Sequence, residues 1–207
     1  MRPIGTEADL AEGAAHLARV CPVWARVLPQ IGPLPLRRRE DGFEAIAGAI
    51  VAQQISVAAA ASIWDRMVAA DLITASAIAA ASDDDLRSAG LSRPKARYLK
   101  AIAAAGLDWD GLRELPDDQA IATLVALPGI GVWTAEIYLK FALGRPDVFA
   151  AGDLALQESA RIMYGLDTRP GPAALRDLAE PWRPWRAVAA RGLWAYYRLA
   201  KGREGIR

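Results

Sequence analysis

Polar and apolar residues repeat with a helical period along most of this chain. Between residues 41 and 53, Phe43, Ile46, Ala47, Ile50 and Val51 recur at spacings of three and four. That spacing puts them on one helix face and predicts an element turned toward the core. The same periodicity predicts helices over 6–20, 22–30, 57–69, 74–81, 83–88, 93–105, 108–114, 154–164, 173–179 and 184–200. A further helix opened by Pro116-Asp117-Asp118 and running to Ala126, and another over Val132–Leu143, flank a short glycine-rich turn. Punctuation supports these limits. Thr6 and Ser56 stand where N-caps belong, Cys21-Pro22 separates the first two helices, and Gly32–Pro35, Gly90 and Gly165–Pro172 read as turns or loops. The tail from Lys201 to Arg207 reads as frayed. The expected fold class is all-α.

Composition agrees with that pattern. The chain has 207 residues, 53% of them hydrophobic, which is enough for one domain or two small lobes with a proper core. Alanine is abundant and β-branched runs are scarce, so propensity favours helix. No apolar stretch is long and uncharged enough to predict a membrane span, and residues 1–21 lack the pattern of a secretion leader. With one cysteine, Cys21, no disulfide can form within the chain, and a reducing cytoplasm is the expected compartment. One histidine and one cysteine offer no metal-ligand cluster. His16, in an apolar stretch, reads as structural or surface. Net charge is only +1, so any polyanion must be met by local clusters. Arg37-Arg38-Arg39, the set Arg93, Lys95, Arg97 and Lys100, and the set Arg183, Arg186, Arg191 and Arg198 are the candidates.

The chemistry concentrates between Leu127 and Asp153. Leu127-Pro128-Gly129-Ile130-Gly131 form a tight turn between two helices. Both glycines can take φ > 0 and leave the backbone bare, and Pro128 discourages the first helix from continuing. Backbone N–H groups at the positive end of the next helix suit a phosphate. A helical hairpin with glycine caps and no ligand is the equally weighted alternative. Asp153, after Gly152 and before a helix, reads first as an N-cap. A capping carboxylate supported by the helix dipole is also held ionised, which suits it to stabilising positive charge or orienting water. Gln53 and Gln54 interrupt an apolar line and need hydrogen-bond partners. Glu136 lies four residues before Lys140, a spacing that favours an ion pair.

Taken in order, Gly32–Arg37, Phe43–Ser56, Leu91–Leu99, Leu127–Ala135, Gly152-Asp153-Leu154 and Trp182–Trp194 resemble the helix-hairpin-helix DNA glycosylases. The similarity is to the 3-methyladenine DNA glycosylase II branch. The resemblance implies two helical lobes flanking a base-binding cleft. One lobe would span about 40–145 and end in the hairpin at 119–143; the other would join 1–39 to 146–207. It implies a monofunctional N-glycosylase of base excision repair, acting on alkylated purines in double-stranded DNA and leaving an abasic site. Asp153 would be the catalytic carboxylate, Trp133 and Trp194 the aromatic walls around a flipped base, Gln54 and Ile55 the minor-groove wedge, and Glu136 a supporting residue. Leu127, Pro128, Gly129, Ile130 and Gly131 would bind DNA, with a monovalent cation at the hairpin carbonyls as a further implication. No cofactor is implied, a monomer is expected, and the single cysteine rules out the iron–sulfur cluster of one branch. The competing expectation is a non-catalytic helix-hairpin-helix DNA-binding module, for which neither Asp153 nor the two tryptophans would be needed.

Overall fold

A computed structural model describes residues 2–202 and is all-helical over them. The expectation about the tail at 203–207 lies outside the described residues. Thirteen α-helices are described, several closed by the caps their sequences provide. Thr6 and Asp9 form a reciprocal capping box on α1 (Glu7–Val20), and Ser82 with Asp85 does the same for α6 (Asp83–Ser88). Ser56 accepts from the Ala59 N–H at the start of α4 (Val57–Ala69). The amphipathic stretch forms α3 (Phe43–Ala52), with Phe43, Ile46, Ala47, Ile50 and Val51 all buried.

The chain divides into two compact units, Arg39–Tyr138 and Met1–Arg38 with Leu139–Arg207. The division falls inside α10 (Val132–Phe141). The Arg39–Tyr138 unit holds α3, α4, α5 (Ala75–Ala80), α6, α7 (Arg93–Ala104), α8 (Trp109–Glu114), α9 (Asp117–Val125) and most of α10. Its core includes Ile46, Ile50, Met67, Ile78, Leu86, Leu99 and Ile102.

The other unit packs α1 and α2 (Pro22–Ile31) with α11 (Leu154–Tyr164), α12 (Pro172–Ala179) and α13 (Arg186–Lys201). Trp182 is its centre, edge-on to Trp24 at 5.5 Å and to Phe149 at 5.8 Å, and stacked on Tyr164 at 6.2 Å. Gly192 allows the close approach of α13 to α2, because a Cβ there would lie 2.6 Å from the Trp24 ring. The sequence predicts a helix from 184. Instead, a single 3-10 turn occupies Glu180–Trp182, and α13 begins two residues late, at Arg186. Arg183 and Arg186 both pair with Asp147 and Glu180, which pins this corner.

Candidate functional site

The hairpin forms where the pattern predicts it. α9 ends at Val125, and the turn closes through Leu127 N–H to the Leu124 carbonyl and Ile130 N–H to the Leu127 carbonyl. Ile130 is buried beneath the turn, whereas Pro128 and Gly131 are exposed. The two glycines have different jobs. Gly129 has φ +83°, and a Cβ on it would sit 2.5 Å from the Tyr98 ring, so the turn closes only with glycine there. Gly131 is absent from the positive-φ residues, which corrects the expectation that both would use that freedom. Its Cβ position is open, with nothing within 4 Å. Gly131 therefore contributes a bare approach to the first turn of α10 and supplies no side chain to cap it. Val132 and Trp133 beside it are exposed, Trp133 at 40%, and the helix becomes buried from Thr134 onward. Glu136 is among the buried residues.

The turn after α3 lies in the same unit. Gln53 turns its amide to the hairpin, its Nε2 donating to the Gly129 carbonyl at 2.9 Å. Gln54 is exposed and left-handed, with φ +59°, and Ile55 beside it is 38% exposed. Lys95, on α7, donates to the carbonyls of Val51 at 2.7 Å and Gln53 at 2.8 Å. Its partial burial lowers its pKa. A lysine expected in a basic surface cluster thus spends its charge on backbone. As donors for a cation, the hairpin carbonyls are neutral oxygens. Those of Leu127 and Gly129 already accept one bond each and keep a second lone pair, a donor set that fits a monovalent ion.

Asp153 lies in the other unit, at the start of α11. Its Oδ1 accepts from the N–H groups of Ala155 at 2.8 Å and Leu156 at 3.1 Å. Neither cap bond engages Oδ2. The residue is only 7% exposed. Gln157, one turn on, returns its Nε2 to the Ala151 carbonyl at 2.8 Å, so the helix holds the turn that presents Asp153. That role of Gln157 was detectable only as a glutamine on an apolar face. Leu154, just after the cap, is 61% exposed.

Trp194 is also in this unit, and it is half-buried. Its indole stacks on Phe141 at 5.9 Å, and the Lys140 ammonium stands 4.5 Å from its ring centre. Lys140 is fully buried. Arg191, expected in a basic cluster, is buried as well; it covers Phe141 at 4.8 Å and donates to the Ala187 carbonyl. Burial, together with Arg37 and Arg38 nearby, pushes its pKa down to about 10. Arg183 and Arg186 are held in ion pairs, so Arg191 and Arg198 are the two arginines of that C-terminal cluster for which no ion pair is described.

The chain is similar to known proteins over most of its length. A profile of the HhH-GPD superfamily of base excision DNA repair proteins matches residues 47–184. DNA-3-methyladenine glycosylase 1 of Schizosaccharomyces pombe is 27% identical over 96% of this chain and 92% of its own length. A structure of that yeast glycosylase in complex with abasic DNA superposes with a TM-score of 0.76 at 28% identity, covering 92% of this chain and 97% of that one. A Bacillus halodurans DNA-3-methyladenine glycosidase superposes with a TM-score of 0.80 at 31% identity, over 90% of this chain and 89% of that one. With its helical units, its glycine-closed hairpin and its aspartate-capped helix, the chain belongs to the HhH-GPD superfamily of base excision DNA repair proteins.

Proposed function

We propose that this chain is a monofunctional DNA N-glycosylase that removes alkylated purines, such as 3-methyladenine and 7-methylguanine, from double-stranded DNA. The observation that carries the reading is Asp153, a nearly buried carboxylate whose Oδ1 is fixed by two helix N–H groups. A carboxylate held in this way is placed to face developing positive charge. It suits a reaction whose leaving base is already positive, as an alkylated purine is. The C1′–N bond breaks with its electron pair going to the base. Asp153 faces the developing oxocarbenium charge and orients a water, whose oxygen bonds to C1′ as its proton passes to the carboxylate and on to solvent. The product is an abasic site in an unbroken strand.

The other assignments follow from exposure and chemistry. Leu127, Pro128, Gly129, Ile130 and Gly131 would hold a backbone phosphate, with any monovalent cation bound by their carbonyls adding positive charge there. Gln54 and Ile55, both exposed, would enter the minor groove. Trp133, 40% exposed, would stack on a base, and Trp194 is the second aromatic that the resemblance assigns to the base. Glu136 would support Trp133 from the next turn of the same helix. The reading needs no cofactor and no second subunit.

Bifunctional relatives attack the sugar with a lysine two residues after the hairpin's last glycine; Trp133 stands at that place here. Lys140 is the nearest lysine along α10, and its ammonium is taken up by the Trp194 face. The test is incubation with methylated duplex, chromatography of the released bases, and a parallel reaction under borohydride. Free methylated bases, strand breaks only after alkali and no covalent adduct are expected. An adduct lost in Lys140→Ala would overturn the water mechanism, and DNA binding without base release would leave a non-catalytic module.

A further inference from the structure

Gln53 and Lys95 stand outside the roles assigned above, yet they link the two parts of the Arg39–Tyr138 unit that face DNA in the proposed function. Gln53 Nε2 bonds the hairpin at Gly129, and Lys95 Nζ bonds both Val51 and Gln53 at the end of α3. Tyr98, one turn after Lys95 on α7, fills the space beside Gly129 that a Cβ would occupy. Gln54 takes a left-handed backbone at the tip of the turn, which a non-glycine residue holds only when its surroundings enforce it. The residues just before it are bonded, Val51 and Gln53 through their carbonyls and Gln53 also through its amide. On one flank the turn is tied to α7, and through Gln53 it is tied to the hairpin, 76 residues away in sequence.

We propose that Gln53 and Lys95 are positioning residues that lock the turn bearing Gln54 and Ile55 to the hairpin, so that the two move as one body. Phosphate capture at the hairpin then fixes where Ile55 enters the duplex. This consequence rests on the wedge assignment made above; the lock itself does not. Without the lock, the turn could still bind DNA, but its side chains would arrive in many positions relative to the captured phosphate, and base extrusion would slow.

Gln53→Met removes the amide while keeping the side chain's length. Hydrogen exchange in the free protein reads the lock directly. In Gln53→Met, amides at 53–57 and at 127–131 should both exchange faster, with the global melting temperature kept. Single-turnover excision should fall about fivefold, the worth of one hydrogen bond, while affinity for undamaged duplex is unchanged. Combined with Ile55→Ala, it should be no slower than Ile55→Ala alone, because both changes act on one step. Unaltered exchange at the hairpin, or losses that multiply in the double variant, would overturn the proposal. Wild-type excision by Ile55→Ala, with the paired exchange still seen, would remove the wedge assignment and support the lock. Lys95→Met should reproduce the faster exchange at 53–57; slow exchange there would exclude Lys95 from the lock and overturn the proposal as stated.

Discussion

Two helix starts in this chain solve the same problem in opposite ways. α11 begins with Asp153, whose carboxylate closes the terminus from within, both cap bonds meeting at Oδ1. α10 begins after Gly131, which has no side chain and faces open space. The positive end of a helix attracts an anion in either case. At α11 the anion belongs to the chain, and the helix holds it in one place. At α10 no side chain of Gly131 fills that position. In the proposed function, one terminus would supply a catalytic group and the other a phosphate seat. Their surroundings match, since α11 is pinned by Gln157 to its own turn while α10 emerges with Val132 and Trp133 exposed.

The sharpest way to break this comparison is at Asp153. Asp153→Asn keeps an oxygen to accept the two cap bonds and removes only the charge. Single-turnover release of methylated bases should drop by roughly 10²–10⁴-fold. Duplex affinity and melting temperature should stay close to wild type. An equal loss of stability and excision would mean that the carboxylate serves the helix and nothing else.

The tryptophans come next. Trp194 is stacked on Phe141 under the Lys140 ammonium, so Trp194→Ala should cost about 3 kcal/mol of stability in thermal or denaturant unfolding. Trp133, 40% exposed at the open helix start, has less packing to lose. Trp133→Ala should leave unfolding nearly unchanged while slowing excision about tenfold, the worth of one base stacked on an aromatic ring. Reversal of the two patterns would place the base against the other tryptophan.

A smaller change makes one helix start imitate the other. Gly131→Asp places a carboxylate where nothing lies within 4 Å, so it should fold normally, with stability altered by only a few tenths of a kcal/mol. In the proposed function, the new carboxylate would occupy the place of the phosphate. Affinity for every duplex should fall about tenfold in a titration at fixed salt, the worth of one hydrogen bond to a charged group. Gly129→Ala tests the other glycine. At φ +83°, against Tyr98, it should lower stability by about 1–3 kcal/mol whether or not DNA is present. Equal behaviour of the two variants would erase the division of labour between them.

What could be read from the sequence divides along the same line as what is local and what is not. The helices and the caps at Thr6, Ser56 and Asp153 depend on residues within a turn of one another, so pattern and residue type sufficed. The reach of Gln53 to Gly129 and of Lys95 to the end of α3 spans 76 and 42–44 residues, and no local rule announces such bonds. Arg191 looked like surface charge because its type is usually exposed; only the packing of α13 on Phe141 puts it inside. The delayed start of α13 belongs with these, since the corner before it is held by Asp147, more than thirty residues earlier.

The smallest expected effect lies midway along α11. Glu158 pairs with Arg161 on its own helix and with Lys201 in the last turn of α13, at 3.0 and 3.2 Å. The Arg161 hydrogen bond, aided by Lys201, holds its pKa down at about 2, against 4.5 for an unperturbed glutamate. A carboxyl with a depressed folded-state pKa adds stability above its unfolded value and loses it as pH falls through the folded one. The contribution should therefore be complete above about pH 4.5 and vanish progressively toward about pH 2. Because both partners reach solvent, it should amount to no more than about 1 kcal/mol. Melting temperatures of wild type and Glu158→Gln, followed from neutral to acid pH, check this: a small gap at pH 6 should close through that window. If the gap persists at the acid end, the glutamate acts through packing. In that case α11 would depend on its capped start, together with the Ser159 hydroxyl donating to the Leu193 carbonyl at 2.7 Å, rather than on the charge of Glu158.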